Sequence, residues 1–600
     1  MSHNDKKQYF ESRRDQFYQE YLSKKRQASV LGWVRFISFV IVAYVIYLLF
    51  QNRETAFALF TFILYVPCFG LLINRHNRKN FELQLAKSLT QVNDEEILRI
   101  DRQLKTFPDG NSYLHSGHPY APDLDIFGKH SLFQLLNRSR FVGSQDTLAA
   151  WLSSPATTEE INARQAAIRE LSEDLDWNQK HTAYSLVHVA NKEEEKLDLT
   201  EFVQGLESDT QVPLPALWSV AQIALPLATL SLIISIEIFA IPFQWIFLAV
   251  GINFLLLRVV FQPLLNLTKN LSAFNRLLKG YELLIRDIET RDFESPHLTQ
   301  LKDKFGKNHA ASSAIRQLRI SLDFLTNRGN MIYQIINSLL LTDLMIIHRI
   351  KRWHQHHSPL VLQWFSAVDQ VVALSDLATY TFVESSYSFP RVEDQPCQFA
   401  TQKMRHPLLL PTKSVSNDFS LSGKGKLALV TGSNMSGKST FLRTLGINLV
   451  LAQAGAPVAA ETLSFSPIRI FTSMRTQDNL EESVSSFYAE IRRIKQLLDE
   501  LSEEQPTLYL LDEILKGTNT KDRHTGAIAL IGQLTNSNCM GLISTHDVEL
   551  AELRNPLMNN FSFNSTLENG EIHFDYQLTP GPCRSFNASA LMEKMGIIKK

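Results

Sequence analysis

Gly432-Ser433-Asn434-Met435-Ser436-Gly437-Lys438-Ser439-Thr440 sets two glycines around four residues, then a lysine and two hydroxyls. Glycines at this spacing let a loop close with its backbone N–H groups turned inward, a cradle for phosphate oxygens. Lys438 then sets its ammonium against the β- and γ-phosphates, and the Ser439 hydroxyl holds Mg²⁺. An apolar run, Leu427 to Val430, leads into the loop, and a helix-like segment, Phe441 to Ala454, leads out. The N-terminus of that helix adds its positive end. The ligand implied is a nucleoside triphosphate, ATP, with Mg²⁺.

A metal ligand and a base should follow on later strands. Pro506 to Leu511 reads as a buried strand, and it ends in Asp512-Glu513. An acid at a strand end holds Mg²⁺, and its neighbour polarises the attacking water. Asp512 takes the magnesium role and Glu513 the general-base role. A third strand, Met540 to Ser544, ends in Thr545-His546-Asp547, where His546 is placed to reach a γ-phosphate. The catalytic set read from the residues is Lys438, Glu513 and His546.

The stretches TGSNMSGKST, YLLDEILKGTNTKD and ISTHDVELAEL resemble the ATPase domain of the MutS mismatch-repair family. Arg405-His406-Pro407, Gln453, Asp478-Asn479-Leu480, Ser485-Ser486-Phe487, Glu490 and Gly517 to Thr520 sit where that family has its own signatures. The resemblance is strong over 400–600 and weaker upstream, where Ser131 to Leu136, Thr147 to Pro155 and Trp364 to Ala378 are similar to its helical core. It implies ATP sandwiched in a homodimer, with Ser485 and Ser486 reaching the partner's γ-phosphate and Gln453 as a further magnesium ligand. It also implies lever helices that clamp DNA. Two departures stand out. Nothing near the N-terminus resembles the family's mismatch-reading domain. Ser414-Val415-Ser416 also stands where an aromatic usually stacks on adenine, leaving that stack unassigned.

The largest departure is apolar. Val30 to Phe50 carries one charge, Arg35, and Thr55 to Ile73 carries none. Ala216 to Ile236 and Ile238 to Leu257 form a second pair, split by Glu237. A bilayer-spanning helix needs about 20 apolar residues, so each pair reads as a transmembrane hairpin. Lys24, Lys25 and Arg26 precede the first pair, Arg75, Arg78 and Lys79 follow it, and Arg258 and Lys269 follow the second. Positive flanks face the cytoplasm. The expectation is a multi-pass protein of the inner (cytoplasmic) membrane, with both termini and the ATPase domain inside.

The fold class expected is therefore an α/β P-loop ATPase domain of ABC-like, MutS type, joined to an all-α core with lever helices and two transmembrane hairpins. The divisions are an amphipathic helix at 1–28, hairpin 1 at 29–80, a linker at 81–120 and a first core segment at 121–212. Hairpin 2 at 213–262, the levers with a second core segment at 263–394 and the ATPase domain at 395–600 follow. Residues 5–28 read either as a surface-lying helix or as a coiled contact. Met331 to Ile347 reads as a packed lever helix, with a helix lying against the membrane as the alternative, and Phe561–Phe563 with Ile572–Tyr576 as a hairpin turned by Asn569-Gly570.

A net charge of −1 excludes a globally basic nucleic-acid binder. Four cysteines without paired spacing imply neither a disulfide framework nor a zinc site. A basic, histidine-rich stretch, His348 to His357, offers contact to nucleic-acid phosphates or lipid headgroups, against a plain solvated helix end. Three functions compete: a membrane-tethered ATPase moving levers on DNA, a mechanical or scaffold ATPase acting on a protein or lipid, and an ABC-type transporter. The last lacks an L-S-G-G-Q signature ahead of the Asp512 strand.

Overall fold

The computed structural model describes residues 3–189, 199, 202–203, 216–239, 242, 244–267, 271–307, 310–475, 486–501, 504–568 and 571–583. It opens with α1 (His3–Gln51) and α2 (Thr55–Ile100), an antiparallel pair joined by a tight turn at Arg53, φ 61°. No proline interrupts α1, so the charged N-terminal stretch and the first apolar run form one helix. Its charged end makes a coiled contact. Phe10 is fully buried with Ile100, Leu175 and Val383, Lys7 pairs with Asp101 at 2.7 Å, and Lys24 pairs with Glu82 at 2.7 Å. The opposite end is exposed and apolar on all sides, as at Trp33, Phe36, Phe60 and Leu71. Both helices are long and apolar enough to cross a membrane by length and composition.

The expected linker at 81–120 is corrected. Residues 81–100 continue α2, because the helix-breaking prolines come only at Pro108 and Pro119. Past the end of α2, Leu104, Phe107 and Tyr120 are core residues. A buried ionic network ties α2 inward. Arg138 forks onto both Glu96 oxygens at 2.9 Å, Arg99 reaches Glu96 at 3.1 Å, and Asp376 accepts the Arg138 backbone N–H at 2.9 Å. Burial pushes the Asp376 carboxyl up to about 6, with Arg138 opposing.

The helical core continues with α3 (Leu132–Leu136), α4 (Val142–Ser153), α5 (Thr158–Ser172) and α6 (Leu175–His188). Capping boxes start α3 at Ser131/Gln134 and α5 at Thr157/Glu160, satisfying backbone N–H groups that a helix start leaves bare. The second apolar pair forms α7 (Ala216–Phe239) and α8 (Gln244–Leu267), with Val220, Phe247 and Phe254 exposed. Then come α9 (Leu271–Thr290), α10 (Pro296–Asp303), α11 (Ala310–Thr326), α12 (Met331–Leu340) and α13 (Thr342–Val383).

The single lever helix expected over 331–347 is two helices. Leu341 adopts φ 53° between them, and the buried Asp343 is caged by Tyr333 at 2.6 Å, Asn337 at 2.9 Å and Arg328 at 2.9 Å. Helix α13 is also apolar and long enough to span, but 72% of its apolar window is buried, so it is the spine of the core. Trp353, in the histidine-rich stretch, is buried and donates to the Ala314 carbonyl at 2.7 Å, so it offers no face to a base. Below the first apolar pair, Phe81 of α2 stacks on Tyr184 and His188 of α6, and Lys279 of α9, the helix after the second pair, lies 5.3 Å from the Phe81 ring.

The C-terminal region is α/β. One sheet has the order β1 (Arg391–Val392), β5 (Thr462–Phe465), β2 (Gln398–Met404), β3 (Asn417–Ser422). The larger runs β10 (Glu571–Pro580), β9 (Met558–Glu568), β4 (Leu427–Gly432), β8 (Cys539–Thr545), β7 (Thr507–Asp512), β6 (Arg469–Ser473). Strands β9, β4, β8, β7 and β6 are parallel, and β10 turns back antiparallel, the hairpin expected from its sequence. The central strands are apolar runs buried on both faces, as parallel strands must be. Helices α14 (Lys438–Ala454), α15 (Ser486–Glu500) and α16 (Thr520–Thr535) cover the sheet. A Cβ on Gly446 of α14 would stand 2.7 Å from Leu124, so this helix packs directly on the helical core.

Candidate functional site

Open parallel sheets bind ligands beyond the carboxyl ends of their strands. Strands β4, β7 and β8 lie side by side and end in Gly432, Asp512 and Thr545. The motif residues are thus brought to one edge by strand order. The loop from Ser433 to Gly437 joins β4 to α14, with Met435 at φ 67° and Gly437 at φ 105°. Met435 is 84% exposed at its tip.

The loop gathers a cation and a hydroxyl at its centre. The Lys438 ammonium is buried and bonds the Gly432 carbonyl at 3.0 Å and the Ser433 carbonyl at 2.9 Å. Burial pushes its pKa down, with Glu513 and Asp512 opposing. The Ser436 hydroxyl is sealed from solvent without a hydrogen-bond partner. An orphaned donor and a desolvated cation in one loop fit phosphate oxygens, which would answer both. Ser439 and Thr440 follow on the first turn of α14, half-buried and exposed.

Asp512 accepts a hydrogen bond from the Ser544 hydroxyl of the next strand. Glu513 sits at φ 51°, a left-handed conformation costly for a side chain of its size, held by its N–H on the Ser544 carbonyl at 3.0 Å. Its carboxylate meets His546 Nε2 at 2.7 Å and Lys516 at 2.9 Å. Burial raises the Glu513 pKa, but Lys516 and His546 outweigh it and the net shift is downward. His546 Nδ1 lies 2.8 Å from the Gly432 carbonyl, which only accepts, so Nδ1 carries the proton. Lys438, Glu513 and His546 therefore converge on the P-loop as the motifs imply. Asp512, at the end of β7, and Ser439, on the first turn of α14, offer oxygen donors of the kind that suit a hard cation.

Gln453 does not join them. It lies fourteen residues beyond Ser439 on the same helix. At 1.5 Å per residue that is about 21 Å, beyond the reach of a shared ion. Ser485 lies outside the described residues, and of Ser486 only its place at the start of α15 is described. That helix is tied to the catalytic loop. Glu490 accepts the Leu515 N–H, and a Cβ on Gly517 would stand 2.5 Å from Phe487.

A pocket of about 240 Å³ adjoins the loop, lined by His406, Leu409, Val415, Phe441 and Tyr576 among others. Tyr576 comes from β10, where the pairing to β9 slips between Phe574 and Leu578. Asn417 pins that bulge, donating to the Tyr576 carbonyl at 3.0 Å and accepting the Leu578 N–H at 2.7 Å. Burial pushes His406 down to about 4, so its ring is neutral. A neutral imidazole and a phenol ring beside a phosphate loop suit a flat heteroaromatic base. Sequence reading missed both. The available signal was the aromatic pair Phe574 and Tyr576 in β10, two residues apart and so on one face of the strand.

Residues 428–595 match the family model for MutS domain V. The DNA mismatch repair protein MutS of Thermus thermophilus is 33% identical over 235 residues. That match covers 39% of this chain and 28% of the relative, so the chain spans under a third of the curated relative it matches.

Proposed function

We propose that this chain, a MutS-family protein by its C-terminal domain, is a Mg²⁺-dependent ATPase seated in the inner membrane by two helical hairpins. Its nucleotide cycle moves the helical core against those hairpins. ATP phosphates take the Lys438 ammonium and the Ser436 hydroxyl, and the base lies between His406 and Tyr576. Mg²⁺, held by Ser439 and Asp512, would neutralise the β- and γ-oxygens. Glu513 gives up Lys516, orients the attacking water and accepts its proton. His546 keeps Nδ1 on the Gly432 carbonyl and offers Nε2 to the γ-phosphate. Two copies closing on ATP would bring Ser485 and Ser486 to the partner's nucleotide.

One observation carries the coupling. Arg102, at the foot of α2, donates to Glu384 at the end of α13 at 2.8 Å and to the Pro407 carbonyl at 3.0 Å. Pro407 follows His406 in the nucleotide pocket. The residue two places past the end of α2 therefore contacts the neighbour of His406, which lines the pocket proposed for the base. The experiment is ATP hydrolysis by full-length protein in detergent and in vesicles. Lys438→Ala should abolish hydrolysis, and Glu513→Gln should bind ATP without turning it over. Arg102→Ala should keep a detergent rate but lose any response to the bilayer. Wild-type turnover in Glu513→Gln would remove the base assignment.

A second reading, levers clamping DNA, is favoured by the name of the Thermus relative, a DNA mismatch repair protein. It predicts ATPase stimulation by duplex, mismatched or branched DNA that fades as salt rises.

A further inference from the structure

We propose that the groove between α1 and α2, at the inner end of the first hairpin, binds the phosphate of an anionic phospholipid headgroup. This rests on the membrane reading above. The groove, of about 570 Å³, is lined by Lys25, Ser29, Gly32, Trp33, His76 and Asn80, with Ala28, Phe36 and Leu83. It lies where the apolar runs beginning at Val30 and ending at Ile73 give way to charge, the depth of lipid headgroups.

Its chemistry is one-sided. Lys25, Ser29, His76 and Asn80 all offer hydrogen-bond donors, and no carboxylate lines the groove. The neighbouring cations are already answered. Lys24 and Lys79 both bond Glu82, at 2.7 and 2.8 Å, and together they hold its carboxyl down at about 2. Among the described residues Lys25 has no such carboxylate. The His76 ring lines the same groove, and its Nδ1 has no hydrogen-bond partner within the protein. Gly32 keeps the groove open. A Cβ there would already stand 3.5 Å from His76 Cε1, so a longer side chain would occupy the floor. Trp33 and Phe36, both exposed, extend from the polar end toward the hairpin's apolar surface, as acyl chains would. A zwitterionic headgroup would bring its own cation to a site without an acid, which selects for an anionic lipid.

The test is native mass spectrometry of the full-length protein in neutral detergent. The probes are dioctanoyl phosphatidylglycerol, dioctanoyl phosphatidylcholine and inorganic phosphate. The phosphatidylglycerol should bind at least about fivefold more than the choline lipid, the scale of one cation near an anionic lipid surface. Lys25→Gln with His76→Asn should abolish that preference. Gly32→Leu should abolish binding with no change of charge, while Arg26→Gln, outside the groove, should leave it intact. Equal loss in Arg26→Gln, or undiminished binding by Gly32→Leu, overturns the site. Inorganic phosphate binding as well as the lipid overturns the lipid assignment. A chain that stays in the aqueous supernatant without detergent overturns the membrane reading and the site with it. A chain that pellets with membranes yet shows no lipid preference overturns the site alone.

Discussion

The two apolar hairpins are joined to the rest of the molecule in different ways. Helices α1 and α2 run straight from exposed apolar surface into the core, where Glu96, Arg99 and Arg138 form a network almost without solvent access. Helices α7 and α8 meet the core at the α12 elbow. There Asn253, buried in α8, donates to the Ser338 carbonyl at 2.9 Å and caps the end of α12. The first attachment is ionic, multiple and continuous with its helix. The second is a cap on a short helix followed by a left-handed residue, Leu341. Among the described residues the second also packs Leu225, Leu256 and Leu257 against the core, but has no buried ion pair like Glu96 with Arg138, so the first hairpin is the firmer strut.

Breaking the strut should cost most. Glu96→Ala strands two buried guanidinium groups, a loss of about 3–5 kcal/mol by analogy with other broken buried pairs, read as a lower denaturation midpoint in detergent. Asn253→Leu should cost about 0.6–1.7 kcal/mol, the range for hydrogen bonds between membrane helices, and should raise amide exchange in 331–345 and not in 81–100. Equal exchange in both regions would erase the contrast.

A pH dependence tests the same buried network by charge alone. Asp376 has its pKa raised from 3.8 to about 6, so its contribution to stability is full below its unfolded pKa and fades as pH rises through the folded one. Asp376→Asn should flatten the melting temperature between about pH 4 and 6, leaving the slope from other carboxylates. A slope unchanged in the variant would assign the dependence elsewhere.

How much was legible follows from how local each signal is. Lys438, Asp512, Glu513 and His546 could be placed because each lies at or shortly after the end of a strand whose apolar run is itself recognisable, and parallel order then aligns the ends. Tyr576 and Arg102 could not, since one depends on Asn417 far back in the chain and the other on Pro407. The linker was misjudged because the breaking force of Pro108 and Pro119 was spread back over residues that keep helical apolar spacing to Ile100. The lever was misjudged because Leu341 is neither glycine nor asparagine, and its left-handed turn is held by the Asp343 cage.

The long apolar runs of α1 and α2 constrain the self-association proposed above. Two copies sharing one bilayer can be related by a twofold axis only if it stands along the membrane normal. Encounter between nucleotide sites then becomes a lateral search in a sheet of lipid. Turnover per molecule should follow the protein-to-lipid ratio, and adding empty lipid should slow it while the concentration in the tube stays the same.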